Sequence, residues 1–76
     1  MKRVLVLGRF KTCPALTVEL VKNRGHYDVM IMGGPRPTPL WRFVERDTNE
    51  IIDHLARRDA ARFSAAGGVD WYRRGR

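Results

Sequence analysis

The 76 residues are enough for one small domain, which would bury only about 60% of the surface that its unfolded chain exposes. Fifteen Lys and Arg against eight Asp and Glu give a net charge of +7, and most of these cations are arginines, which suit phosphates and carboxylates. The balance predicts an anionic partner, either nucleic acid or a nucleoprotein complex, or an acidic protein surface. The alternative is that the charge serves solubility alone.

Cysteine and histidine are too few for several classes of site. Cys13 is the single cysteine, which excludes an internal disulfide and indicates a reducing, cytoplasmic setting. His26 and His54 add too few ligands for a zinc centre, so we expect no metal and no cofactor. The first apolar run, residues 4–7, is broken at Gly8 and is too short for a signal peptide or a membrane span, so no membrane partner is expected.

The first half of the chain predicts a βαβ unit. Continuous apolar runs at 4–7 and 29–32 are typical of strands covered on both faces. A helix is expected between them, over 13–24, because a capping residue, a first-turn proline, apolar residues at helical spacing and a terminating glycine occur in order: Thr12, Pro14, Leu16, Leu20, Val21 and Gly25. Strand, helix and strand would form a right-handed parallel crossover, and therefore an α/β fold.

Gly8 follows the first predicted strand, where nucleotide-binding folds place a phosphate loop. Phe10 and Cys13 stand where the motif G-x-G-x-x-G needs its further glycines, and no P-loop spacing is present. A specific nucleotide site is therefore not predicted. Arg9 and Lys11, beside the N-terminus of the expected helix, form a weak anion site in this interpretation.

The stretch "GGPRPTP", residues 33–39, predicts a rigid Gly/Pro connector. Two glycines end the second strand, and three alternating prolines stiffen the backbone. The prolines are two residues apart, whereas a ligand for an SH3-type groove needs them three apart. We therefore interpret the stretch as a spacer that holds Arg36 in solvent.

The residues after the connector allow two interpretations. In the favoured one, 41–46 and 50–55 are strands of a β-hairpin that extends the sheet. In the other, Asp47 caps a helix whose apolar face continues until Gly67 stops it. Both interpretations end in a helix over about 57–66.

The C-terminal helix closes the predicted domain, which spans residues 1–70. Phe63 would point inward, and Arg58 and Arg62 would lie on the polar side, either as a solvated face or as a binding face. The residues predicted to be buried are Val4, Val6, Leu20, Val29, Ile31 and Phe63.

The tail, residues 71–76, combines Trp71 and Tyr72 with Arg73, Arg74 and Arg76. Rings followed by guanidinium groups suit single-stranded nucleic acid, where bases stack on the rings and arginines neutralise phosphates. The same residue types are common in protein interfaces. In a third interpretation the two rings pack back onto the core.

Enzyme chemistry is not expected. Asp53 and His54 are sequence neighbours, which in a strand point to opposite faces, and no serine or cysteine stands in a nucleophile context. A chain of this size rarely encloses a substrate pocket, so neither catalytic residues nor a small-molecule substrate are predicted.

Two functional hypotheses remain. The first is a module that binds nucleic acid or a nucleic-acid-processing machine such as the transcription apparatus; the second is an inhibitor that binds one protein. Small size and high charge are similar in general type to the accessory proteins of bacteriophages and mobile elements, although no motif carries this likeness. The predicted partner-binding residues are Arg36, Trp41, Arg57, Arg58, Arg62, Trp71, Tyr72, Arg73, Arg74 and Arg76.

Overall fold

The computed structural model describes residues 2–44, 46–63 and 67–72. The strands in these residues are β1 (Lys2–Phe10), β2 (Thr17–Asn23), β3 (His26–Met32), β4 (Thr38–Phe43) and β5 (Val69–Trp71). Two helical segments, α1 (Thr48–Arg57) and α2 (Asp59–Arg62), lie between β4 and β5 along the chain. The strands form one antiparallel sheet in the order β4-β3-β2-β1-β5, which curls into a half-barrel.

The predicted α/β fold is wrong, because the expected helix over 13–24 is a turn followed by β2. β2 pairs with β1 on one side and with β3 on the other. The strands β1 and β3, which a βαβ unit would place side by side, are therefore not neighbours. β2 and β3 are joined by Arg24 and Gly25, and Gly25 has a φ of +71°. A two-residue turn can join only antiparallel strands, since a parallel crossover needs a dozen residues or more.

The pattern of β2 fits both a helix and a strand until Val18 is considered. Leu16 and Leu20 are four residues apart, which suits a helical stripe, but they are also an even number apart, which suits alternation. Val18 lies between them and is fully buried with Leu20 in the core, so the period of two is the correct one.

The predicted hairpin is only half correct. Residues 41–43 belong to β4, but 50–55 are helical within α1. Asp47 is the N-cap, with a side-chain oxygen that accepts the N–H of Asn49 at 2.9 Å, so the alternative interpretation is confirmed at the start of this helix. The predicted helix over 57–66 is correct only for its middle: the helical region already begins with α1, α2 covers Asp59–Arg62, and residues 64–66 lie outside the described residues.

One face of the half-barrel is covered by the helical segments and forms the core. Leu20, Val29 and Phe63 are buried as predicted. The buried members of this core are Leu7, Phe10, Val18, Leu20, Val29, Ile51, Ile52, Leu55, Phe63 and Val69.

Three of the predicted core positions are less buried than predicted. Val4 is 46% exposed and Val6 is half-buried, whereas Ile31 is half-buried but packs against the core. β1 carries two register shifts, one at Val4 and one between Val6 and Gly8, so simple alternation does not hold along it. Val6 lies opposite Glu19, on the face away from the helices.

Gly8 is part of a strand and does not form a phosphate loop. β1 continues through it to Phe10. A Cβ atom at Gly8 would lie 2.6 Å from the carbonyl oxygen of Asp70 and 2.9 Å from Val69. Glycine at this position therefore allows the close approach of β5.

Candidate nucleic-acid interface

The side chains of two arginines lie over the ring of Trp41, on the helical side of the sheet. Trp41 lies on the edge strand β4, opposite the buried Val29, and its side chain packs against the core. The guanidinium carbons of Arg58 and Arg62 are 5.6 Å and 5.1 Å from the centre of its ring. Both distances are within the range of cation–π attraction. The two cations are thereby held beside each other at one ring.

A second aromatic ring extends this arrangement along β4. Phe43 is two residues after Trp41 and so lies on the same face of the sheet, with the guanidinium of Arg46 6.0 Å from its ring centre. The ring of His54, on α1, meets both aromatic rings edge-on, 5.8 Å from Trp41 and 5.5 Å from Phe43. We call this set the arginine–aromatic surface; its members are Trp41, Phe43, Arg46, His54, Arg58 and Arg62.

Helical spacing brings the cations to one side. Arg58 caps α1, and its N–H bonds to the carbonyl oxygen of Leu55 at 3.0 Å. Arg62 is four residues later, and its N–H bonds to the carbonyl oxygen of Arg58 at 3.0 Å. Residues four apart on a helix are neighbours on its surface. The buried side chains of Leu55 and Phe63 anchor the segment, so both arginines project over β4.

The chemistry of this surface is that of an anion site. A guanidinium that rests on a ring keeps its N–H donors for a partner, and its planar fork matches phosphate or carboxylate oxygens. Arg46, Arg58 and Arg62 are all exposed to solvent. Their ring contacts restrict the long side chains before any partner arrives, which reduces the entropy lost on binding.

On the opposite face of the same strands, the single carboxylate of Asp28 is the centre of a polar cluster. Asp28 accepts a hydrogen bond from Arg42 Nε at 3.0 Å and another from the side-chain amide of Asn23, and His26 Nε2 lies 3.5 Å away. Burial acts to raise the pKa of Asp28, but the hydrogen bonds from Arg42 and Asn23 and the charges of Arg42 and His26 outweigh it and hold this pKa below its usual value. The cluster ties β4 to β3 and to the end of β2.

A cavity of about 350 Å³ lies along β4 and is lined by Asp28, Pro39, Leu40, Trp41 and Arg42. The pairing of β3 with β4 shifts here, because Val29 is opposite Trp41 whereas Met30 is opposite Pro39. Leu40 is therefore the extra residue of a β-bulge, a feature that redirects side chains at a strand edge. Trp41 belongs both to the cavity wall and to the arginine–aromatic surface.

Of the predicted partner-binding residues, the structure brings together Trp41, Arg58 and Arg62. Arg57 is exposed on α1, and Arg36 is exposed in the turn after Gly33, whose φ is +98°. The last two residues of the predicted connector, Thr38 and Pro39, belong to β4. Neither Arg36 nor Arg57 takes part in the ring contacts that the structure shows for Trp41 and Phe43.

The predicted tail begins on the other edge of the sheet. Trp71 lies in β5 opposite Gly8, and its ring centre is 6.2 Å from that of Phe63, so it packs against the core. Tyr72 is 41% exposed, and its N–H bonds to the carbonyl oxygen of Leu7 at 2.8 Å. The three predicted arginines Arg73, Arg74 and Arg76 lie outside the described residues.

The weak anion site predicted at Arg9 and Lys11 loses its physical basis. Both side chains are exposed, but the helix whose N-terminus would attract an anion is not formed. The chain after Phe10 turns instead, with the N–H of Leu16 bonded to the carbonyl oxygen of Cys13 at 2.9 Å.

Phe43, Arg46 and His54 were not predicted as partner-binding residues. Sequence signals point to two of them once the elements are known. Phe43 follows Trp41 at the strand period of two, and His54 precedes Arg58 at the helix spacing of four.

Among the described residues, no group of three or more His, Cys, Asp and Glu is placed to hold a metal ion. No helix in the same part of the chain has the length and apolar character needed to cross a membrane. Comparisons with protein-family models, curated proteins and solved structures give no match to this chain.

Proposed function

We propose that this chain is a non-enzymatic nucleic-acid-binding protein whose arginine–aromatic surface contacts phosphates. The observation that carries the proposal is the placement of Arg58 and Arg62 over the single ring of Trp41. Two neighbouring guanidinium groups repel each other in the free protein, and an anion between them relieves that repulsion. A guanidinium fork matches the oxygens of a phosphate group. A nucleic acid repeats that phosphate along its whole length.

Charge favours a nucleic acid as the partner. Arg46 continues the line of cations beyond the two arginines on Trp41, and the whole chain carries +7. A polyanion meets several of these cations at once, and the release of its counterions drives binding. An acidic protein surface, on which the chain would act as an inhibitor, is the alternative partner, and a shallow salt dependence is its signature.

Cytoplasm is the proposed location. Cys13, the single cysteine, is a free and exposed thiol, which is in keeping with a reducing compartment. Nucleic acid and the machines that process it are abundant there, so the proposed partner and the proposed compartment agree.

The proposal is tested by fluorescence anisotropy with labelled oligonucleotides over 50 to 300 mM salt. Log affinity against log salt should fall with a slope of about −0.7 for each phosphate contacted on a single strand. Replacing Arg58 and Arg62 together by Gln should lower affinity about tenfold and flatten that slope by about one to two, because two phosphate contacts are lost.

The matched control removes the same charge elsewhere. Arg9→Gln with Lys11→Gln changes two exposed cations near the end of β1, separated from β4 by two strands. We expect its affinity to stay close to that of the parent. Equal losses in the two double variants would mean that binding depends on net charge alone, which contradicts the assigned surface. A parent that binds no oligonucleotide at 50 mM salt would overturn the proposal in favour of a protein partner.

A further inference from the structure

We propose that His54 is a proton-linked binding residue of the arginine–aromatic surface: its imidazole takes up a proton from solvent when a nucleic acid binds. This inference rests on the proposed function and adds a regulation to it, because affinity then rises as pH falls. The observation that carries it is the position of the imidazole. Its ring meets the rings of both Trp41 and Phe43, and guanidinium groups lie over the same two rings.

The fold fixes the imidazole beside the cations. His54 lies on α1 four residues before Arg58, and its ring stands at 83° to both aromatic rings. Its ring centre is 5.8 Å from that of Trp41, which two guanidinium groups contact, and 5.5 Å from that of Phe43, which one contacts. The next residue, Leu55, is fully buried, so α1 cannot rotate His54 away from β4 without exposing its own core side chain.

The charged groups around His54 are mostly positive in the part of the chain that the structure describes. They are Arg46, Arg58 and Arg62 on the two aromatic rings, and Glu50, Asp53 and Arg57 within about one turn of α1. Charges on so small a surface act on one another, because the Debye length is about 10 Å at 0.1 M salt. A positive charge on the imidazole adds to the excess of cations, so it is more favourable once an anion has bound than before.

Proton uptake and anion binding therefore support each other. Histidine is the side chain whose charge ordinarily changes between about pH 5 and pH 8. Phosphates on the arginines bring negative charge beside the imidazole and favour its protonated form, and by reciprocity the protonated form favours the phosphates. Affinity should thus rise between pH 7.5 and pH 5.5. Asp28 contributes no change over this range, because its pKa lies below the usual value and it stays ionised.

The test measures the affinity of one labelled single-stranded oligonucleotide by fluorescence anisotropy at pH 7.5 and pH 5.5, at one salt concentration. We expect the parent to bind about fivefold more tightly at pH 5.5. His54→Gln stays neutral, so its affinity should change by less than about twofold. His26→Gln is the matched control, because His26 is the other histidine of the chain and lies beside Asp28 on the opposite face. It should keep the pH dependence of the parent.

A second measurement decides the matter if His54→Gln fails to fold. In His26→Gln, His54 is the remaining histidine, and calorimetric titration with the oligonucleotide at pH 6.5 in two buffers of different ionisation enthalpy counts the protons taken up. We expect an uptake of about half a proton. No uptake, or an undiminished pH dependence in folded His54→Gln, would overturn the role of His54 while the proposed function stands. Failure of the parent to bind the oligonucleotide at both pH values would overturn the proposed function itself.

Discussion

The two tryptophans lie on the two edge strands of one sheet, and their neighbours give them different roles. Trp41, on β4, is half-buried and contacts two guanidinium groups and an open cavity. Trp71, on β5, is also half-buried but lies over Gly8 and beside Phe63. Burial class therefore does not separate the two rings. The charge beside them does, because the structure shows guanidinium groups over the ring of Trp41 and a phenyl ring beside Trp71.

The two edges differ in the same way. β5 has only three residues, and its backbone is fastened at both ends: Val69 N–H bonds to Asp59 Oδ2 at 3.2 Å, and Tyr72 N–H bonds to the carbonyl oxygen of Leu7 at 2.8 Å. β4 has six residues and includes a bulge at Leu40. A short, fastened edge closes a fold, whereas a bulge in an edge strand redirects the side chains beside it.

The largest expected effect is on the β5 edge, through Gly8→Val. Any Cβ at this position meets the carbonyl oxygen of Asp70 at 2.6 Å, so β5 must move away and take Val69 out of the core. We expect the free energy of unfolding to fall by about 3 kcal/mol, as for severe overpacking. Urea denaturation measures it. Gly34→Ala is the control, because the nearest atom to its added Cβ is a side-chain methyl of Leu16 at 3.5 Å. Similar losses in both variants would contradict the role given to Gly8.

The next effect separates the two tryptophans directly. Trp71→Leu removes the contact with Phe63 and should cost about 2 kcal/mol of stability, while the dissociation constant for a single-stranded oligonucleotide stays within about twofold. Trp41→Leu should weaken that binding about tenfold, because Arg58 and Arg62 lose the ring that holds them. Urea denaturation and anisotropy on both variants check this crossed pattern. Weaker binding by the folded Trp71→Leu protein would move the interface to the β5 edge.

Part of the fold follows from the sequence and part does not. The continuous apolar runs at 4–7 and 29–32 do lie in strands, because valine and isoleucine favour the extended backbone of a sheet even where they are not fully buried. Leu16 and Leu20 satisfy two periods at once, and the local pattern could not decide which period the tertiary structure uses. Gly25 was equally ambiguous, since a glycine with positive φ ends a helix or turns a hairpin.

The residue types of the arginine–aromatic surface could be predicted from the sequence, but the way in which they come together could not. Arginine excess and aromatic residues pointed to Trp41, Arg58 and Arg62. Their meeting depends on a strand edge that lies beside a helix, and such a long-range contact leaves no periodic trace in the sequence. For Trp71 the local sequence was misleading in the other direction. Its neighbour Tyr72 and the arginines that follow suggest a binding tail. Its packing, however, depends on Gly8, which is more than sixty positions away in the chain.

A smaller effect concerns the pH dependence of the β4 edge. Because the pKa of Asp28 is lower in the folded protein, its carboxylate stabilises the fold fully above the unfolded value of about 3.9, and this contribution is lost as pH falls through the folded-state pKa. Asp28→Asn should therefore reduce stability by about 1 kcal/mol at pH 7, and the difference from the parent should shrink below pH 4. Urea titrations from pH 7 to pH 2 test it. A constant difference at all pH values would mean that the charge of Asp28 contributes nothing.

The smallest effect is expected at Cys13, which belongs to neither edge. It lies exposed in the turn between β1 and β2, and its contact with Leu16 is made by the backbone carbonyl at 2.9 Å, which any residue can provide. Cys13→Ser should change stability by less than about 0.5 kcal/mol and leave oligonucleotide binding unchanged, because surface substitutions of similar size rarely do more. Urea denaturation and anisotropy test both statements. A loss of affinity at unchanged stability would show that a partner reaches this turn, and the contrast between the two edges would then have to include the loop that joins β1 to β2.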